Sequence, residues 1–140
     1  MVIRSRRQLN QFQEFAGLGF GRLQPSDIDL VLELKDKAYL IVEVKREGAP
    51  HPRGQLLMYE RMAADLHKAG KHVLLVYATH TTPIRKDIDV ARCNVHSYMT
   101  QPRRPKNSNR IHGWEYPLQK SPVTVRELVD VKLDEWGIDV

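Results

Sequence analysis

The chain reads as an α/β domain, with a central mixed β-sheet flanked by helices. Three observations predict this. Apolar runs of strand length, such as "LIVEV" and "HVLLVYA", are bounded by turn residues. Segments with helical apolar spacing lie between and after them. A strand–helix–strand succession in the middle implies a crossover and therefore some parallel pairing.

The elements follow in order. "RSRRQLNQFQEFAGLGFG" opens with a capping residue at Ser5. Leu9, Phe12, Phe15 and Ala16 then recur at helical spacing, and Gly17 and Gly19 stop the helix. A short extended piece spans Phe20 to Leu23. Pro25 and Ser26 break the chain before a strand from Asp27 to Leu34. A turn at Lys35, Asp36 and Lys37 leads into a second strand, Ala38 to Lys45. "REGAPHPRG" is a loop, because two glycines and two prolines disfavour regular structure.

A helix is predicted from Gln55 to Lys68, with Leu56, Tyr59, Ala63 and Leu66 on one stripe and Gly70 as its C-terminal stop. "HVLLVYATH" is the central buried strand and "CNVHSYM" a further one. The basic, polar stretch "TQPRRPKNSNRIHG" is a loop. A last helix starts near Thr124, with Val125, Leu128, Val129 or Val131, and Leu133 as its apolar face. No internal repeat or second domain is evident, so residues 1–140 form one domain.

Composition narrows the function. The net charge of +5 favours acidic partners, nucleic acid first among them. The single cysteine, Cys93, excludes an internal disulfide and a multi-thiolate zinc site, and points to a reducing cytoplasm. The N-terminal arginines precede no apolar run, so a secretory signal is not expected. No stretch approaches the ~20 apolar residues that span a bilayer, and no membrane partner is expected. The histidines lack the close spacing of a zinc helix.

"DIDLVLELKDKAYLIVEVK", Asp27 to Lys45, carries acids and a lysine in what should be core strands. Strand side chains alternate, so Asp27 and Asp29 share a face about 7 Å apart. A three-residue turn sets Leu34 opposite Ala38. That register puts Asp29 across from Glu43 and Asp27 across from Lys45, with opposed Cβ atoms about 5 Å apart. Two facing carboxylates repel, and their burial without a partner costs more still. A hard divalent cation, Mg2+ or Mn2+, resolves the conflict. Lys45 then reaches the same place, where it can hold a water or neutralise a phosphate. A cross-strand Asp27–Lys45 salt bridge, with Asp29 and Glu43 on a solvated edge, is the plainer alternative. The apolar frame of Leu40, Ile41, Val42 and Val44 argues against it, because idle charge is expensive there.

"SDID", a hairpin and then "VEVK" resembles the PD-(D/E)XK nuclease superfamily. Asp29 precedes Glu43 by fourteen residues, and Glu43-Val44-Lys45 supplies the Glu-x-Lys element. Pro25 stands displaced from the family's Pro-Asp pair. "GQLLMYE" is similar to the Gln-x-x-x-Tyr motif of RecB-type nucleases, with Gln55 ten residues after Lys45 and Tyr59 one helical turn further on.

The resemblance implies a restriction-endonuclease-like core of α-β-β-β-α-β order and a Mg2+- or Mn2+-dependent deoxyribonuclease, an endonuclease in preference to an exonuclease. It implies Asp29, Glu43, Lys45, Gln55 and Tyr59 as catalytic residues. Metal ligands would be Asp29, Glu43 and the Val44 carbonyl, with Glu14 and Asp27 as further candidates. Asp27 and Asp29 compete for one ligand role, and the register favours Asp29. DNA is the implied partner, and a homodimer is compatible. Arg46, Arg53, Arg103, Arg104, Lys106 and Arg110 are the candidate phosphate contacts. Recombination, repair and phage or mobile-element DNA processing all suit such an enzyme. The competing readings are an inactive nuclease-fold DNA-binding protein and a structural domain with incidental salt bridges.

Overall fold

The computed structural model describes residues 14, 16–23, 26, 28–50, 53–117 and 122–140. Its order is β1 (Leu30–Leu34), β2 (Ala38–Arg46), α1 (Arg53–Lys68), β3 (His72–His80), β4 (Asn94–Met99) and α2 (Val125–Glu135). The four strands form one mixed sheet in the order β1-β2-β3-β4. β2 and β3 run parallel, while both outer pairs are antiparallel. The α/β class and the mixed sheet therefore agree with the sequence reading, but the order among the described residues is β-β-α-β-β-α and not the expected α-β-β-β-α-β.

Two expectations change. The Phe20–Leu23 piece closes on itself through a Phe20↔Leu23 bridge and adds no strand to the sheet. The first strand begins at Leu30 rather than Asp27, with Asp29 in a bend. The expected helix over residues 5–16 lies almost wholly outside the described residues. What is described there is a 3-10 turn at Ala16–Leu18.

The β1–β2 turn sets the register that the charges depend on. Lys35 and Asp36 both adopt positive φ, 52° and 59°, and the Lys37 N–H donates to the Leu34 carbonyl at 2.9 Å. Leu34 then faces Ala38, as the three-residue turn requires. Lys71 clamps the turn from the start of β3, donating to the Asp36 carboxylate at 2.6 Å.

Each face of the sheet carries one helix. Ile41, Val73, Leu75 and Met99 pack with Tyr59, Ala63 and Ala64 of α1. Leu40, Val42, Leu74, Val76, Ala78 and Val95 pack with Val125 and Leu128 of α2. Alternation along β2 therefore sends Ile41 and Glu43 toward α1, and Leu40 and Val42 toward α2. Helix α2 starts where Thr124 accepts from the Glu127 N–H at 3.2 Å, while Val131 stays exposed and Leu133 is buried. Cys93 is buried just before β4.

After β4 the chain turns back along that strand. Tyr98 and Glu115 exchange backbone hydrogen bonds of 2.9 and 2.7 Å. Gly113, at φ 127°, permits this return, because a Cβ there would lie 2.5 Å from the Gln101 carbonyl oxygen. The return sets Trp114 over the α1 face, where it packs against the core.

Candidate active site

β2 runs off the apolar core at its C-terminal end, and its α1-facing positions change there from Ile41 to Glu43 and Lys45. Glu43 is only 4% exposed. Its Oε2 accepts from the Tyr59 hydroxyl at 2.5 Å. Its Oε1 lies 3.0 Å from the Lys45 ammonium, yet receives no aligned hydrogen bond. Burial raises the Glu43 pKa above the ordinary carboxylate value, and the Tyr59 and Lys45 contacts pull it only partly back. The nearby Asp29 charge raises it further.

Asp29 reaches this place by a different route from the one expected. The ladder ends at Leu30↔Val42, so Asp29 is not a paired strand residue opposite Glu43. Its Oδ2 instead accepts from the Val44 N–H at 2.9 Å, standing in for the ladder carbonyl that the shortened strand lacks. The Asp29 backbone also hydrogen-bonds the Tyr59 hydroxyl, whose pKa burial and the Glu43 carboxylate push upward. One short network thus ties the start of β1, the end of β2 and the second turn of α1.

Glu43, Lys45, Gln55 and Tyr59 line a single recess, closed on its other sides by Leu56, Leu75, Val76, Tyr77 and Trp114. Its enclosed volume is about 10 Å3, near what one water requires. Tyr77 and Trp114 are site residues that the sequence reading missed. Tyr77 pairs with Glu43 in the parallel register, and burial followed by the Glu43 charge raises its pKa to about 12. A tyrosine closing the apolar run of β3 was the visible signal. The Trp114 contact spans more than fifty residues and left none.

The carboxylates can be tested against a metal. Among the described residues no cluster of three or more His, Cys, Asp or Glu is poised around a metal position. Mg2+ does not demand one, because it keeps several waters and takes one or two carboxylates plus a phosphate. The buried Glu43 Oε1, with no aligned donor, suits such an ion beside Asp29. Val44 is half-buried between these residues. Glu14 is exposed and outside any helix, while Asp27 lies outside the described residues.

The candidate phosphate contacts divide. Arg46 ends β2, exposed, and donates to the Thr82 carbonyl at 2.8 Å. Arg53 begins α1 and is exposed, as are Arg103 and Lys106. Arg104 pairs with Asp65 of α1 at 2.8 Å. Arg110 departs from the expectation of a loose basic loop. Its guanidinium forks onto the Glu60 carboxylate at 2.8 and 2.7 Å, and Glu60 is fully buried. The loop is docked on α1 by that pair, which engages the Arg110 N–H fork with Glu60 rather than with a phosphate.

No family model, curated protein or solved structure matches this chain.

Proposed function

We propose that the protein is a metal-dependent nuclease that hydrolyses phosphodiester bonds in DNA, with its site in the Glu43–Lys45 recess. One observation carries this reading: Asp29, Glu43, Lys45, Gln55 and Tyr59, which resemble the nuclease motifs, converge on one end of the sheet although three elements contribute them. A restriction-endonuclease-like core is the finer fold that goes with it.

In this reading Asp29 and Glu43, with the Val44 carbonyl, hold Mg2+ or Mn2+. The ion supplies Lewis-acid stabilisation of charge on the scissile phosphate. Lys45 orients the attacking water and offsets negative charge on the phosphate. Tyr59 fixes the Glu43 carboxylate by occupying Oε2 and leaving Oε1 turned to Lys45. Gln55, at the mouth, orients the lysine or the strand. Arg46, Arg53, Arg103 and Lys106 supply the cationic approach to the backbone.

The test is a cleavage panel of plasmid, single-stranded and branched DNA with Mg2+ or Mn2+. The parent is expected to cut at least one substrate, and Glu43→Ala and Lys45→Ala to cut none while staying folded. A parent inactive throughout, or variants as active as the parent, would remove the assignment.

A further inference from the structure

Next to the recess lies a second cleft of about 150 Å3. The two share Leu56, Tyr77 and Trp114 in their linings, so they adjoin. The second cleft is walled by planar groups: Tyr77, His96, Arg110, Trp114 and Tyr116. On the measure by which the recess holds one water, this cleft holds several, enough room for one planar ring.

Two of these planes are held rigidly. Buried Glu60 receives the Arg110 fork, the Trp114 Nε1–H at 2.8 Å and the Ile111 N–H at 3.3 Å. A single carboxylate thus fixes both a guanidinium plane and an indole plane. The Arg110 side chain is still 39% exposed, so it remains available from the cleft. On the other side Tyr116 is 68% exposed and meets His96 edge-on at 6.0 Å, and His96 meets Tyr77 edge-on at 5.4 Å. Tyr116 therefore offers an exposed aromatic ring at the rim of the same cleft that the fixed Arg110 and Trp114 planes line.

We infer that this cleft stacks one unpaired nucleobase of the strand whose phosphate lies at Glu43 and Lys45, so that the site selects single-stranded DNA or unpaired positions over continuous duplex. The inference rests on the proposed nuclease reading for the position of the phosphate. The occupant follows from chemistry on both sides: π faces and a guanidinium for a base, and the adjoining ammonium of Lys45 with exposed Arg53 for its backbone. A base within a duplex keeps its faces stacked on its neighbours and cannot enter. Glu60 is a positioning residue here, acting through Arg110 and Trp114.

Binding measured in EDTA separates this inference from catalysis. Fluorescence anisotropy would compare a labelled single-stranded oligonucleotide, the same sequence as duplex, and single strands with abasic positions, for the parent and Tyr116→Ala. The parent should bind the single strand at least tenfold more tightly than the duplex, and abasic positions should erase that preference. Tyr116→Ala, at an exposed site that leaves the core intact, should weaken single-strand binding by roughly 5- to 100-fold, as loss of one stacked base does. Equal affinity for single strand and duplex, indifference to abasic positions, or an unchanged Tyr116→Ala dissociation constant would overturn the inference. A parent that shows the preference but cuts no DNA would overturn the nuclease reading alone. A parent that cuts DNA without the preference would overturn the cleft alone.

Discussion

Helix α1 packs beside two buried carboxylates, and they are treated in opposite ways. Glu60 is fully buried and Glu43 is 4% exposed. Glu60 receives four hydrogen bonds, two of them from a guanidinium, and these hold its pKa below the usual value despite burial. Glu43 receives one hydroxyl and an imperfectly aligned lysine, and burial raises its pKa. Burial alone therefore does not mark a functional acid. A carboxylate saturated with donors is a structural joint. One left short of donors at the mouth of a recess is the candidate for chemistry.

The largest expected effect strikes the saturated acid. Glu60→Ala strands the Arg110 guanidinium and the Trp114 and Ile111 N–H groups. Removing one partner of such a network costs about 3 kcal/mol or more, and urea unfolding midpoints will read it. A loss below about 1 kcal/mol would mean that Glu60 is no joint.

Glu43→Gln should behave in the opposite way. The folded state holds the Glu43 proton more tightly than the unfolded chain, so its stabilising contribution is complete below the unfolded value of 4.5. It is lost as pH rises through the higher folded pKa. At neutral pH, without metal, Glu43→Gln should match or exceed the parent in stability, and that advantage should vanish below pH 4.5. Glu60 carries the reverse sign. Its stabilisation is present above 4.5 and lost as pH falls through its lowered folded pKa. Unfolding midpoints of the parent, Glu43→Gln and Glu60→Gln across pH 3–8 would break the comparison if both variants followed one slope.

A smaller effect is expected from Tyr59→Phe. Loss of one hydrogen bond to a buried carboxylate costs about 1–2 kcal/mol. Since the Tyr59 hydroxyl lowers the Glu43 pKa, its removal should raise that pKa further in a carboxyl NMR titration. An unchanged value would mean that Tyr59 does not tune Glu43.

The smallest effect belongs to the exposed Arg104–Asp65 pair. Arg104→Ala should shift stability by less than about 1 kcal/mol, far less than Arg110→Ala, although both arginines sit in the same basic loop. Equal losses would mean that the buried Glu60 gives the Arg110 pair no special weight.

Much of this contrast was legible in the sequence, for identifiable reasons. A three-residue turn fixes the hairpin register, so the Leu34↔Ala38 pairing and the shared face of Glu43 and Lys45 followed from counting. Helical periodicity likewise gave the α1 stripe with Tyr59 and Ala63, and Gly70 gave its end. Alternation alone extends the ladder beyond Leu30 to Asp29, because nothing in the local pattern marks the strand's start. With the Asp29 carboxylate taking the Val44 N–H, the strand starts only at Leu30, three residues later than alternation suggests. Glu60 lies beside Tyr59, and an acid bordering an apolar stripe is itself a signal of a buried partner. Its partners Arg110 and Trp114 come from a loop fifty or more residues away, where local pattern says nothing about contact.

Carboxyl carbon-13 NMR of the metal-free protein, titrated with Mg2+, addresses the central claim most directly. The Glu43 side-chain carboxyl resonance should move saturably, and that of Glu60 should stay still. A motionless Glu43, or a Glu60 that moves as far, would contradict the assignment of the Glu43 recess as the cation site of a nuclease.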